Sequence, residues 1–245
     1  KKDGSYIWVS DYSTVNRDAH GNPVDFSGII WDISTVIEAE LELKVLLREV
    51  HHRVKNNMQV IISLLNIQAD YVNNDQLSEI FGETQNRIRT MALIHDKLFR
   101  SKRMSEVDFG SYINSLILEL NNFYGIDPDR IHIHPKIAEF KLDINKAIPC
   151  GLIVNELVTN SMKYAFPDKR EGDIWITADP IDHGKAKIEI KDNGVGLKED
   201  LVFEETHTMG LRIVRILTEQ LGATIELDRK KGTSFTLTFD LNDNT

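Results

Sequence analysis

Residues 35–72 contain no glycine or proline, and Leu43, Leu47, Val50, Val54, Met58, Ile61 and Leu65 recur there at helical spacing. Such a run predicts one long amphipathic helix. Thr35-Val36-Ile37-Glu38 fits a capping box at its start, with the threonine hydroxyl and the glutamate carboxylate satisfying free N–H groups. A short break at 71–75, containing Asn73-Asn74, precedes a second stripe of Leu77, Ile80, Phe81, Ile88, Met91, Ile94 and Leu98. Two long helices on so short a connection fold back as an antiparallel hairpin whose stripes need a partner. Pairing with a second hairpin into a four-helix bundle is the expected solution, which predicts a homodimer.

The flanking segments have other patterns. Residues 5–10 and 24–33 are rich in β-branched and aromatic side chains and flank Asp18-Ala19-His20-Gly21-Asn22-Pro23, a cluster of turn formers. They predict strand, turn, strand. An isolated hairpin cannot bury a core, so residues 1–34 read as the tail of a larger β domain or as an arbitrary edge hairpin. They resemble the C-terminal strands of a PAS sensor domain, with Asp32-Ile33-Ser34 where such domains hand over to a helix. Residues 101–107 form a polar, charged linker. Beyond it, helices are expected at 109–122, 144–165 and 211–221, and strands at 131–134, 173–178, 186–191, 223–228 and 234–240. That order suggests a two-layer α/β sandwich. The expected fold class is α+β, divided at 1–34, 35–104 and 105–245.

A formal charge of −9 argues against a nucleic-acid surface. The single cysteine, Cys150, lies in an apolar run; it excludes an internal disulfide framework and favours a reducing, cytoplasmic location. No apolar stretch reaches membrane-spanning length and no signal segment opens the chain. The chain begins at Lys1 rather than methionine, as expected of a fragment.

The densest chemical signal in the first half is Glu49-Val50-His51-His52-Arg53-Val54-Lys55-Asn56-Asn57. At ~100° per residue the apolar stripe spans about 80° of arc, with His52 about 160° from its centre and His51 only about 60°. His52 therefore points to solvent, sharing its face with Glu49, Asn56, Gln59 and Ser63. A histidine serves as a nucleophile only as the neutral ring in the right tautomer, which a carboxylate on the other nitrogen can fix. Arg53, directly after His52, cannot accept a hydrogen bond. Glu49, one turn earlier, is the candidate orienting group; an ordinary exposed helix carboxylate is the alternative. The box resembles the phosphoacceptor box of a sensor histidine kinase subclass related to the HWE kinases. That resemblance implies phosphorylation of the second histidine, His52, and places Asn56 where many such kinases keep Thr or Asn.

The 144–165 segment is apolar nearly all round, which predicts a buried helix. Yet Glu156, Asn160 and Lys163 fall within about 60° of arc. Burying them together is costly unless something polar meets them, a ligand or simply a Glu–Lys pair. Asp192-Asn193-Gly194-Val195-Gly196 follows a strand; its carboxylate can accept from an exocyclic amine, and its glycines let backbone approach a flat ligand. Met209-Gly210-Leu211 opens a helix whose N–H groups can hold phosphate. Gly232-Thr233 leads into the last strand and brings a hydroxyl near the same pocket.

In order and spacing, the segment Asn155 to Tyr164, then Asp192-x-Gly194-x-Gly196, Gly210-Leu211 and Gly232-Thr233 resemble the motifs of the GHKL (Bergerat) ATP-binding fold, shared by histidine kinases, Hsp90-type chaperones and type II topoisomerases. The resemblance covers about residues 105–245. It implies ATP and Mg²⁺ as cofactors, with Asp192 reading the adenine amine and Asn160 supplying an oxygen to Mg²⁺. Lys163 would neutralise phosphate, and Tyr164 would lie near adenine or ribose. Glu156 stands where water-activating members keep a general base. The second glycine motif lacks its usual first glycine, and the lid segment from Leu197 to Met209 is short. The implied activity is a protein histidine kinase that autophosphorylates on His52 and passes the phosphoryl group to an aspartate of a response-regulator receiver domain. Two rivals remain at this stage: a serine kinase or ATPase in which the hairpin only dimerises, and a non-catalytic ATP-binding scaffold.

Overall fold

The computed structural model describes residues 4, 6–71, 74–100, 106–125, 127–197, 203 and 208–241. The chain divides into two compact units, residues 1–53 and 54–245.

In the first unit, β1 (Val9–Arg17) pairs antiparallel with β2 (Pro23–Asp32). The first strand extends to residue 17 rather than lying at 5–10. Pairing propagates from the turn, where Asp18 Oδ1 accepts the N–H groups of His20 and Asn22 at 2.8 and 2.9 Å. Register then carries the polar stretch 11–17 into the ladder, with Tyr12 across from Ile29 and Val15 across from Phe26. Every residue of both strands is exposed, as strands without a second layer must be.

The long helix α1 (Ser34–Asp70) begins one residue before the expected capping box. The Asp32 carboxylate accepts the Ser34 N–H at 2.9 Å, and Ile37 already donates to the carbonyl of Ile33. Asp32 therefore caps the first turn, and Thr35 lies inside the helix. Leu43, Leu47, Val50 and Ile61 of its stripe are exposed, whereas Val54, Met58 and Leu65 are half-buried.

In the second unit, α2 (Asp75–Arg100) runs back beside the end of α1, as the 2.6 Å ion pair between Lys55 and Asp96 shows. It also packs on two helices of the sandwich, α3 (Phe109–Tyr124) and α4 (Ile144–Asn160). Its buried face differs from the expected one. Ile94 is buried as expected, but Leu77 and Ile80 are exposed, while Asn86, Arg87 and Thr90 are buried. Those polar residues are buried because α4 offers them hydrogen-bond partners. The expected linker at 101–107 lies mostly outside the described residues, as do Val72 and Asn73.

The sandwich opens with β3 (Glu106–Asp108), paired antiparallel with β5 (Lys141–Asp143); three-residue strands carry no alternation that a sequence could reveal. Between them lie α3 and β4 (Ile131–Ile137). Asp108 caps α3 by accepting the Ser111 N–H, and Gly125 ends it in the left-handed conformation. After α4 come β6 (Gly172–Ile181), β7 (Lys185–Asp192), α5 (Met209–Gln220), β8 (Thr224–Asp228) and β9 (Ser234–Asp240). The sheet order is β4-β6-β7-β9-β8, with β4 and β6 parallel and the other neighbours antiparallel. Alternation puts Ile174, Ile176 and Ala178 of β6, Ala186, Ile188 and Ile190 of β7, and Phe235, Leu237 and Phe239 of β9 into one core with the helices. This is the expected two-layer α/β sandwich. The expected helix over 144–165 is α-helical only to Asn160; residues Ser161–Ala165 make a π turn.

Cys150 sits in this core with no exposed surface, and burial pushes its thiol pKa well up. The reactive thiolate is thus suppressed by both access and charge. Ellman's reagent should label the native protein at least about 100-fold more slowly than the unfolded chain. Equal rates would contradict this packing.

Candidate functional site

The strand period of two that buries Ile188 and Ile190 also turns Asp192, the last residue of β7, inward toward α4. There Ser161 donates its hydroxyl to Asp192 Oδ2 at 2.9 Å, while Oδ1 accepts the backbone N–H groups of Gly194 (2.9 Å) and Thr233 (3.1 Å). Thr233 reaches Asp192 through its backbone N–H, and the residue also lines the adjoining cavity, where its hydroxyl was expected. Gly232 makes the crossing possible. It lies at φ +80°, and a Cβ there would stand 2.1 Å from the Asp192 carbonyl oxygen.

Asp192 lines a cavity of about 350 Å³ whose walls include Leu157, Ile190, Leu197, Leu211 and Phe235. Gly196 lines it as well. Gly194 is not among the lining residues: a Cβ there would lie 2.4 Å from the Ala165 side chain, so this glycine admits the π turn rather than a ligand. Gly210, in the first turn of α5, lines the cavity too. A Cβ on it would stand 2.9 Å from Glu156 Oε2 and 3.7 Å from the Asn160 amide, which leaves the helix terminus bare. Exposed Tyr164 and half-buried Asn160 also line the cavity.

The cavity suits a nucleotide. It has a fixed acceptor in Asp192, apolar walls, and the N-terminus of α5, which the Thr208 side chain does not cap and where an anion is favoured. Tyr124 and Thr159 line it as well; burial raises the Tyr124 hydroxyl pKa, and hydrogen bonding to Thr159 and the charge of Lys163 oppose the rise. Among the described residues no group of three or more His, Cys, Asp or Glu gathers to hold a metal. Asn160, whose amide lies beside Gly210, is a residue whose oxygen could hold Mg²⁺.

Two expected residues are held by side chains of α2, although Glu156 does line the cavity. Glu156, 5% exposed, is gripped by Arg87 of α2, whose Nε and Nη2 donate at 2.7 and 2.9 Å. Lys163 is not among the residues lining the cavity; its Nζ lies 2.7 Å from a Glu83 oxygen. Burial opposes the charge on Arg87, but the carboxylates of Glu156 and Glu83 outweigh it, and the guanidinium pKa is raised. Ser161, Tyr124 and the α2 residues Glu83, Asn86 and Arg87 were missed from sequence. A signal for the last group existed. Glu83, Asn86, Arg87 and Thr90 recur at i, i+3, i+4 and i+7, a polar stripe on a helix otherwise judged by its apolar one. The lid segment expected between Leu197 and Met209 lies almost wholly outside the described residues. Phe203 is an exception, buried against Phe235 with ring centroids 5.6 Å apart.

In the first unit, His52 on α1 is exposed and His51 half-buried, the order the helical wheel gives; Asn56, further along α1, is also exposed. Glu49 Oε1 accepts from Arg53 Nε and Nη2 at 3.0 and 2.5 Å. The carboxylate proposed to orient His52 is thus held by an exposed pair that water screens.

Residues 49–124 match a family model described as histidine kinase, and residues 145–243 match one described as histidine kinase-, DNA gyrase B- and HSP90-like ATPase. The sensor histidine kinase PdtaS of Mycolicibacterium smegmatis is 31% identical over 219 residues, spanning 87% of this chain and 42% of that protein. Its counterpart in Mycobacterium tuberculosis is 32% identical over 189 residues, 76% of this chain and 36% of that protein. The chain therefore spans about two-fifths of the length of these relatives. Among solved structures, the histidine kinase domain of a blue-light activated histidine kinase from Erythrobacter litoralis superposes with a TM-score of 0.61 at 26% identity, covering 83% of this chain and 94% of that domain. The two family matches in tandem, on a helix pair and an α/β sandwich with this pocket, place the chain among the sensor histidine kinases, as a core of histidine kinase segment and ATPase domain.

Proposed function

We propose that the chain binds Mg²⁺·ATP in the Asp192 cavity, transfers the γ-phosphoryl group to His52, and passes it on to an aspartate of a response-regulator receiver domain. The observation that carries this is the exposed His52 in its Glu-Val-His-His-Arg box, inside the segment that matches histidine kinases. Phosphoryl transfer asks little covalent chemistry of a protein; positioning and charge stabilisation supply most of the rate. Asp192 would accept from the adenine amine, and the N–H groups opening α5 at Gly210 and Leu211 would face the phosphates. Asn160 would hold Mg²⁺, which neutralises phosphate charge. Lys163 would join them once released from Glu83. The exposed apolar residues Leu43, Leu47 and Val50 of α1 are a surface that a second copy would cover, in a homodimer. The β1–β2 hairpin, exposed on both faces, would belong to a PAS-like domain. Among the described residues no helix is long and apolar enough to cross a membrane.

Incubation with γ-labelled ATP and Mg²⁺ tests this reading. The expected product is labelled protein that loses its label in acid and keeps it in base, as a phosphoramidate does. Acid-stable label, or hydrolysis of ATP without label, would favour the serine kinase or ATPase alternative.

Glu49 is the candidate that orients His52, accepting from Nδ1 and leaving Nε2 to attack. It must first leave Arg53. Glu49→Gln should slow autophosphorylation at saturating ATP by about ten- to several-hundredfold, with ATP affinity unchanged. A variant that labels at the wild-type rate would remove Glu49 from the mechanism.

A further inference from the structure

We propose that Glu83 and Arg87 of α2 form an electrostatic latch on the phosphate end of the nucleotide cavity, and that Mg²⁺·nucleotide opens it by taking Lys163 from Glu83. The proposal rests on the nucleotide reading of that cavity.

Four charges alternate across the contact between α2 and the end of α4. Lys163 Nζ meets Glu83 Oε1 at 2.7 Å, Glu83 Oε2 meets Arg87 Nη2 at 3.3 Å, and Arg87 Nε meets Glu156 Oε1 at 2.7 Å. Their side chains are withdrawn from water: 25% exposed for Glu83, 15% for Lys163, 11% for Arg87 and 6% for Glu156. In such surroundings a charge is costly unless partnered, so the four hold one another in place. Glu83 and Arg87 are also lining residues of the cavity, beside Asn160 and Gly210, where phosphates would be received.

A polyphosphate arriving there meets two carboxylates. Glu156 is already neutralised by Arg87. Glu83 is the residue whose cation, Lys163, the phosphates would claim. Binding therefore replaces a Glu83–Lys163 bond with a phosphate–Lys163 bond and leaves Glu83, beside new negative charge, with the longer 3.3 Å contact to an Arg87 that it shares with Glu156. Asn86 and Thr90, interleaved with these charges on α2, are bound differently. Asn86 donates to Asn155 Oδ1 at 3.1 Å, and Thr90 donates to the same oxygen at 3.2 Å, both neutral contacts that nucleotide charge does not disturb. Opening would thus begin at Glu83 and pivot about Asn155. Antagonism of this kind is reciprocal: whatever loosens α2 tightens nucleotide, and the reverse.

The test is titration calorimetry of the full chain with the non-hydrolysable triphosphate AMP-PNP plus Mg²⁺, and separately with adenosine. Glu83→Gln should bind AMP-PNP about five- to twentyfold more tightly than wild type, with adenosine affinity unchanged, since adenosine carries no phosphate to compete with Glu83 for Lys163. Hydrogen exchange supplies a second readout. AMP-PNP should speed exchange of the α2 amides around 83–87 in wild type, and the variant should show that faster exchange without nucleotide. AMP-PNP affinity that is unchanged or weaker in Glu83→Gln, with adenosine binding intact, would overturn the latch. So would slower exchange in α2 on adding nucleotide. If neither ligand bound either protein, the nucleotide reading itself would fall, a distinct outcome that takes the latch with it.

Discussion

Asp192→Asn is expected to weaken ATP binding by about thirty- to several-hundredfold, the equivalent of about 2–4 kcal/mol. The local hydrogen bonds decide why so small a change matters. Oδ1 accepts two backbone N–H groups, from Gly194 and Thr233, so an amide introduced there must keep its oxygen on that side. Its NH₂ then occupies the position of Oδ2. Ser161 can rotate its hydroxyl to accept from it, but an adenine amine cannot. A donor thus faces a donor in a site that is 2% exposed, where water cannot relieve the mismatch. The alternative flip would set the NH₂ against two backbone donors and is worse. Calorimetry with ATP checks this directly, and guanine nucleotides should gain relative to ATP because their carbonyl oxygen accepts what the amide offers. Equal ATP affinity in wild type and variant would move the adenine away from Asp192.

His52→Gln should abolish autophosphorylation while leaving ATP affinity within about twofold of wild type. Glutamine has no nitrogen lone pair able to attack phosphorus, whereas the nucleotide cavity is built from residues 83–235, none of them near His52 in sequence. His51→Gln should keep at least part of the activity, because His51 is the half-buried member of the pair. Radiolabel incorporation, with calorimetry on the same preparations, separates the two effects. Full labelling of His52→Gln would end the assignment.

The sandwich was legible in the sequence because its strands alternate and its motifs fall at element ends. Asp192 is the case in point: the alternation that buries Ile190 also aims the carboxylate inward. The long helix α1 was legible for the same reason. What could not be read were features set by tertiary partners. The stretch 11–17 becomes strand through register opposite β2, against its polar composition. The strands β3 and β5 are too short to show a period. The π turn at Ser161–Ala165 breaks the ideal wheel that put Lys163 beside Glu156 and Asn160, and Lys163 instead reaches Glu83. The buried polar stripe of α2 was visible as a pattern, yet only α4 reveals what it meets. In each instance the local preference was outvoted by a contact distant in sequence.

The central claim, that ATP delivers its phosphoryl group to one exposed histidine of α1, is tested most directly by mapping the phosphate. The protein would be phosphorylated with Mg²⁺·ATP, digested at neutral to alkaline pH to preserve phosphohistidine, and sequenced by tandem mass spectrometry. The expected result is a single phosphorylated peptide with the modification on His52. Phosphate on His51, on a serine or threonine, or on no residue of α1 would contradict the account.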